Sequence, residues 1–425
     1  DREGEVEQKK GTWGGQMVTT TTTTTTTEKR VQEACRGNGI DLTTYSYESD
    51  VSPSTYPPGS ITIPEAPQFV SLSFDDNGYS GLDGAPQSAG GMSWLVDMLS
   101  SKRHPSDGSP VLASFYYTTG YIDGSFSSES PTYVKRSWRR ALEKGHEVGL
   151  HSHSHRNGRQ FRGWEWSEEI AKCTEWLTKP YKVNDPILGA GSSEALNSDS
   201  GMGAPPSSVV GWRSPHLEYN DNLMGSLVDA GVWYDSSIED GWRWQDDGST
   251  FSWPFTLNGG RDPPLAGSKE YISSHPGLWE VPVHPFVVPP DDVAEKYGIR
   301  SGLRDRCKGH INWFDTSIGK ITGFDYNLWV ILKMTPDEFL ATLKYSLDLR
   351  LEGNKSPFVP GLHSDYYSDK WIGTDERAPP AERRRVLAEF VDYALSKRGV
   401  HMVPVNRVVD WMRDPVPGEC LEGRS

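Results

Sequence analysis

From about residue 61 onward, short apolar runs alternate with amphipathic stretches, the pattern left by strands and helices that build a parallel sheet. Candidate strands lie at 69–74, 111–117, 147–150, 209–212, 232–234, 279–283, 358–362 and 400–405. Helices are predicted between several of them. One spans 131–144 and one 220–230, and they end at Gly145 and Gly231, the residue type that best closes a helix. Thr335, Pro336 and Glu338 make a capping box with proline in the first turn, opening a helix to about residue 351. Another occupies 380–398 and stops at Gly399. So many strand-helix repeats predict an α/β fold with a complete or partial barrel.

Two long irregular segments, near 240–278 and 285–335, interrupt the alternation, and loops of that length in a folded domain usually carry function. Residues 1–60 differ from the rest: a threonine run at 19–27 and a Ser/Pro/Tyr-rich stretch near 52–58 predict an irregular N-terminal arm or linker ahead of one domain at 61–425. The 16 Trp, 18 Tyr, 43 Gly and 30 Pro fit long aromatic loops on such a scaffold better than a helical bundle.

The charge balance narrows the partners. With 58 Asp and Glu against 43 Lys and Arg, the net charge is −15, which argues against nucleic acid and anionic membranes as partners because both require a basic face. No apolar run approaches the roughly 18 residues of a membrane span. Cys35, Cys173, Cys307 and Cys420 are too widely spaced for a CxxC metal module and allow three pairings. Joining Cys35 to Cys420 and Cys173 to Cys307 is one of them; two structural disulfides would suit an exported protein, and four buried thiols are the alternative.

Active sites of barrels and parallel sheets lie at the carboxyl ends of the strands, and there the predicted strands carry Asp75-Asp76, His151-Ser-His-Ser-His155, Arg213-Ser-Pro215, Asp235-Ser-Ser237 and His363. Adjacent aspartates require a cation or an arginine. If the pleat continues, the two carboxylates point to opposite sides, one as a metal ligand and its neighbour facing the reacting water. His151 and His155, four residues apart, suit one helical turn or a tight loop and with Asp76 complete a three-ligand zinc site; His153 is the odd one out. A surface histidine stripe and a solvated Asp-Asp-Asn turn are the plain alternatives. Arg213 can pair with Asp75, and His363 can donate a proton near neutral pH. Asp235 can orient His363 or Arg213, or simply cap its own turn.

These residues resemble the motifs of the polysaccharide deacetylase family, carbohydrate esterase family four, in its chitin deacetylase branch. Phe74-Asp75-Asp76 is similar to its TFDDG motif, with Asn77 in the last place; His151-Ser-His-Ser-His155 fits H(S/T)xxH; Arg213-Ser-Pro215-His216 resembles RxPY; Tyr234-Asp235-Ser-Ser237 looks like YDSS; and Leu362-His363 resembles the final LxH. The similarity spans about 68–411. It implies a distorted (β/α) barrel of about seven strands, holding zinc, or cobalt, manganese or nickel, through Asp76, His151 and His155. Asp75 would be the general base and His363 the general acid, supported by Arg213 and Asp235, with Pro215 and His216 beside the substrate.

The expected function is metal-dependent removal of N-acetyl groups from a GlcNAc-containing glycan, most simply chitin or chitooligosaccharides, by a secreted, cell-surface or periplasmic enzyme. Trp164, Trp166, Trp242 and Trp244 are candidate platforms for sugar rings, with core packing as the alternative. Peptidoglycan, acetylated xylan or a small cyclic amide would keep the chemistry and change the substrate. A non-catalytic glycan-binding module on the same fold is the reading from another class.

Overall fold

The alternation of apolar and amphipathic segments closes into a curled parallel sheet. The computed structural model describes residues 35, 37, 39–42, 44–82, 90–126, 128–182, 199–243, 245–262, 271–371 and 377–421. Its main sheet has the strand order β11 (Gly361–His363), β2 (Ser73–Asp75), β3 (Ser114–Tyr117), β4 (Glu147–Leu150), β5 (Val209–Trp212), β6 (Tyr234–Asp235), β8 (Trp279–Glu280) and β7 (Phe255–Thr256). The first seven run parallel in that order and β7 pairs antiparallel with β8. This curled eight-stranded sheet, seven of its strands parallel, is the distorted (β/α) barrel that the resemblance implies. Nearly every strand residue is buried, as expected where helices cover a sheet whose inside is also filled.

Two edges remain, β11 and the β7/β8 pair, and the insertion after β8 bridges them. The chain forms an antiparallel pair, β9 (Phe286–Val287) with β10 (Lys320–Ile321). It then passes Gly323, whose carbonyl accepts the Gly361 N–H at 2.9 Å. A Cβ on Gly323 would stand 2.1 Å from the His284 carbonyl oxygen, so only glycine lets the backbone through here. Phe324 bridges to Gly361 in the next step. The segment predicted to be a long irregular loop is therefore what closes the barrel.

One predicted strand is corrected. The run 69–74 is two strands: β1 (Gln68–Val70) pairs with β12 (Val400–Met402) outside the main sheet, and only β2 enters the barrel. The bend falls at Ser71, whose N–H reaches the Phe358 carbonyl at 2.9 Å. Periodicity does not register such a change because both halves are buried.

The predicted helices form where their caps lie. Thr335 and Glu338 exchange hydrogen bonds in a capping box that starts Pro336–Glu352, and Asn220 accepts the Leu223 N–H to start Asp221–Asp229. Helix Pro131–Glu143 ends two residues before Gly145, whose φ of 87° is available cheaply only to glycine. The N-terminal arm packs over the sheet in its described part: Tyr45 donates to the Trp233 and Gly277 carbonyls, and the Val51 N–H donates to Thr256 Oγ1. The threonine run lies outside the described residues. Cys35 and Cys420 are disulfide-bonded. The expected second bridge is absent: Cys173 and Cys307 are separate buried thiols, because one sits behind β3 with its Sγ on the Tyr117 carbonyl and the other on helix Leu303–His310.

Candidate active site

The site is built from abrupt endings of parallel strands. β2 stops at Asp75, and Asp76 and Asn77 turn into the left-handed region with φ of 64° and 67°, a conformation that costs most residues free energy and is least difficult for asparagine and aspartate. The pleat therefore does not continue, and the two aspartates do not point apart as expected. Asp75 Oδ2 and Asp76 Oδ1 each lie 3.8 Å from His151 Nε2. Asn77 holds the turn from beneath: its side-chain amide donates to the carbonyls of Phe74 and Tyr116, both at 3.0 Å, while its backbone carbonyl accepts the Trp138 indole N–H.

The histidine motif follows β4 as a loop, with Ser152 and His155 also left-handed. Glu169, from helix Gly163–Thr178, reaches beneath it and accepts the N–H groups of His153 and Ser154 and the Ser154 hydroxyl at 2.5 to 2.9 Å. Burial opposes its charge, but these donors hold the Glu169 carboxyl below its ordinary range. His153 turns away, between Asp123 at 3.0 Å and Thr119 at 2.9 Å. His151 Nδ1 lies 2.8 Å from the Arg213 carbonyl oxygen. A carbonyl can only accept, so Nδ1 carries the proton and Nε2 presents a bare lone pair. Burial pushes the His151 imidazole down to about 4, keeping it neutral.

His151, His155 and Asp76 converge, with one ligand atom of each within 4.8 Å of the others. His155 Nε2 is 3.1 Å from Asp76 Oδ1. Burial opposes charge on Asp76, yet His155, His151 and His363 hold its carboxyl below the ordinary value. Two neutral-capable imidazoles and one ionised carboxylate, with the third side toward a cleft, fit a divalent ion that keeps a position open.

Arg213 is fully buried and uses its whole fork: Nη1 on Asp75 Oδ1 at 3.0 Å and on Ser73 Oγ at 2.8 Å, Nε and Nη2 on the Ser236 carbonyl and hydroxyl, both at 2.9 Å. Asp75 is thus held by Arg213 on one oxygen, while the other faces His151 Nε2 at 3.8 Å. On the adjoining strand, where His363 pairs in register with Asp75, Asp325 accepts the His363 backbone N–H at 2.9 Å and faces His363 Nδ1 at 2.7 Å. Burial alone would lower the His363 pKa; Asp325 outweighs it, aided by Asp76 and Asp75, and raises it to about 10.

Asp235 takes neither expected partner. Among the described residues its carboxylate accepts from Ser237 Oγ at 2.5 Å and meets Glu280, and burial raises Asp235 to about 6 and Glu280 well above the carboxylate range. It caps its own turn and joins a buried carboxyl pair, while Ser236 supports Arg213 and Asp325 orients His363. Asp325 and Glu169 were not found in the sequence; each meets its histidine only through the tertiary fold.

Asp75, Asp76, His151, His155, His216 and His363 line one cleft of about 760 Å³, with Tyr79, Tyr121, Tyr326, Tyr366 and Trp371 among its walls. His216 sits at φ 58° with its ring 4.6 Å from that of His155, and Pro215 is buried behind it. The expected tryptophan platforms are redistributed. Trp166 is wholly buried, its indole N–H on Asn220 and its ring against Phe161 and Trp212, so it belongs to the core. Trp164 is 61% exposed and outside the cleft wall. Trp242 lines a neighbouring cleft with Trp313. Trp244 lies outside the described residues.

The chain is similar to known proteins over much of its length. Residues 64–200 match the polysaccharide deacetylase family model. The chain is 21% identical over 370 residues to chitin deacetylase 8 of Bombyx mori, covering 86% of this chain and 75% of that protein. It is 20% identical to chitin deacetylase 1 of the same organism, over 84% of this chain and 53% of the other. Among solved structures, a polysaccharide deacetylase assigned from Mycobacterium smegmatis aligns with a TM-score of 0.46 and 16% identity, covering 86% of this chain and 95% of that one.

Proposed function

We propose that this chain, a chitin-deacetylase-like member of the polysaccharide deacetylase family, is a metal-dependent hydrolase that removes N-acetyl groups from a GlcNAc-containing glycan. The observation that carries the reading is two proton-handling pairs on adjoining strands beside one ligand set: Arg213 with Asp75, and Asp325 with His363, whose strand pairs in register with that of Asp75. A binding module needs neither.

Asp76, His151 and His155 would hold the divalent ion, which when bound polarises the acetamide carbonyl and lowers the pKa of the attacking water. Asp75 uses Oδ2, the oxygen that Arg213 does not hold, to take a proton as the water oxygen bonds to the carbonyl carbon. Arg213 keeps Asp75 aimed. When the C–N bond breaks, His363 delivers the proton that the amine nitrogen requires, from the ring nitrogen opposite Asp325. The products are acetate and a free glucosamine amine. The tyrosines and Trp371 of the cleft walls offer faces for sugar rings and hydroxyls for their polar edges.

The sequence relationship to chitin deacetylases favours chitin or chitooligosaccharides as the glycan. A disulfide between Cys35 and Cys420, and no helix among the described residues long and apolar enough to cross a membrane, suit a secreted or cell-surface location. Acetate release from chitooligosaccharides, acetylated xylan and peptidoglycan, by the wild-type protein and by Asp75→Asn, tests the proposal. Release from chitooligosaccharides that the variant abolishes supports it. No release from any of the three, with chitooligosaccharide binding intact in both proteins, contradicts it in favour of a binding module.

A further inference from the structure

Beside the catalytic cleft lies a second one of about 360 Å³, lined by Trp242, Trp313, Asp315, Ile318, Lys320 and Thr322. The two share a wall. Thr322 lines both, and its hydroxyl is 3.0 Å from Glu239 Oε1, itself a catalytic-cleft residue. Trp242 and Trp313 form an aromatic corner, with ring centroids 6.4 Å apart and planes at 64°. Trp313 is 58% exposed, one of the few large aromatic side chains left in solvent.

This corner is held in place rather than incidental. Lys320 is buried and its ammonium donates to the carbonyls of Gly241 and Arg243, at 2.6 and 2.8 Å, the two residues that flank Trp242. A buried ammonium spent on two backbone carbonyls fixes the loop that carries Trp242. The same run of chain continues through Thr322 and Phe324 to Asp325, the partner of His363. Five residues of extended chain reach at most roughly 18 Å, so Lys320 in the wall of the second cleft stands within an oligosaccharide's length of Asp325.

We infer that the Trp242–Trp313 cleft is a distal sugar subsite, which takes a ring of the same glycan whose acetamide lies at Asp76, His151 and His155. The inference rests on the deacetylase reading above. An aromatic face stacks on the apolar face of a pyranose, while Thr322 and Asp315 provide hydrogen-bonding groups at its edge. Binding energy realised there, remote from the reacting bond, favours oligomers over short substrates.

The test compares the wild-type chain with Trp313→Ala and Trp313→Phe, loaded with zinc, on chitobiose and chitohexaose. Trp313→Ala is expected to lower kcat/KM on the hexamer by roughly tenfold, the scale of one aromatic contact, and to leave the dimer unchanged. Trp313→Phe retains most of the hexamer activity. Equal effects on both lengths, or none on either, overturn the subsite. Should the wild type release acetate from neither substrate, the deacetylase reading fails separately. Hexamer affinity measured by calorimetry then decides the subsite: a roughly tenfold loss in Trp313→Ala supports it, and unchanged affinity overturns it.

Discussion

Replacing Asp325 by asparagine keeps the shape beside His363 and removes the charge. In the native site the carboxylate meets Nδ1 at 2.7 Å and holds the imidazole up to about 10. The raised value means that the protonated form is favoured: a general acid there works below about 10 and fails as the pH rises through it. In Asp325→Asn burial continues to oppose the charge while Asp76 and Asp75 still favour it, so the pKa falls toward the ordinary imidazole value of about 6.5. The protonated fraction is then about 90% at about pH 5.5 and about 1% at about pH 8.5, and the variant-to-wild-type rate ratio drops about a hundredfold between them. A cation held by Asp76 repels the imidazolium and lowers both alkaline limits together, so the gap between them is what reports on Asp325. The assay is kcat/KM for acetate release from a chitooligosaccharide across that range, at fixed zinc. A rate ratio that does not change with pH would refute the assignment of Asp325 as the residue that sets the His363 proton. The same linkage acts on stability: the pair's contribution is complete below the unfolded imidazole pKa and is lost as the pH rises through about 10.

Glu169→Gln leaves the histidine loop without its anionic anchor, and zinc affinity measured by competition with a chromogenic chelator is expected to fall 10- to 100-fold, roughly the effect of losing an outer-shell support; unchanged affinity would show that the loop is held otherwise. Trp166→Phe removes the indole donor to Asn220 and part of the core volume. It is expected to lower stability by about 1 to 3 kcal/mol in urea unfolding with KM unaltered, whereas a raised KM at native stability would return Trp166 to the substrate. Alkylation followed by mass mapping is expected to find Cys35 linked to Cys420. Cys173 and Cys307, whose thiols burial pushes up to about 12, are expected to be modified only after denaturation. A Cys173–Cys307 peptide would contradict this.

Much of the barrel was legible because its signals are local. β2 through β5 announce themselves as apolar runs, and the capping box at Thr335 fixes a helix start within four residues. The strand alternation also placed Asp75, Asp76, His151, Arg213 and His363 at one rim. What it did not convey was direction. Asp76 leaves the pleat by a left-handed turn, a backbone choice stabilised by Asn77 and two carbonyls from different parts of the chain, so a period-two argument sends its carboxylate to the wrong side. Asp325 was hidden for a different reason. It lies in an insertion without periodicity, and its relation to His363, 38 residues later, exists only once Phe324 has bridged to Gly361. Trp166 and Trp242 are indistinguishable by composition; the helix at Gly163–Thr178 turns the first into the core, and Lys320 holds the second at a cleft.

The proposed function stands on a metal centre of Asp76, His151 and His155 on which deacetylation depends. Its most direct measurement is zinc titration of chelator-treated protein, following bound zinc and acetate release from a chitooligosaccharide in the same samples. Release is expected to be lost on chelation and to return in proportion to one zinc per chain, and His155→Ala is expected neither to bind that zinc nor to recover. Release that survives chelation without bound zinc, or zinc that binds equally to His155→Ala, would contradict it.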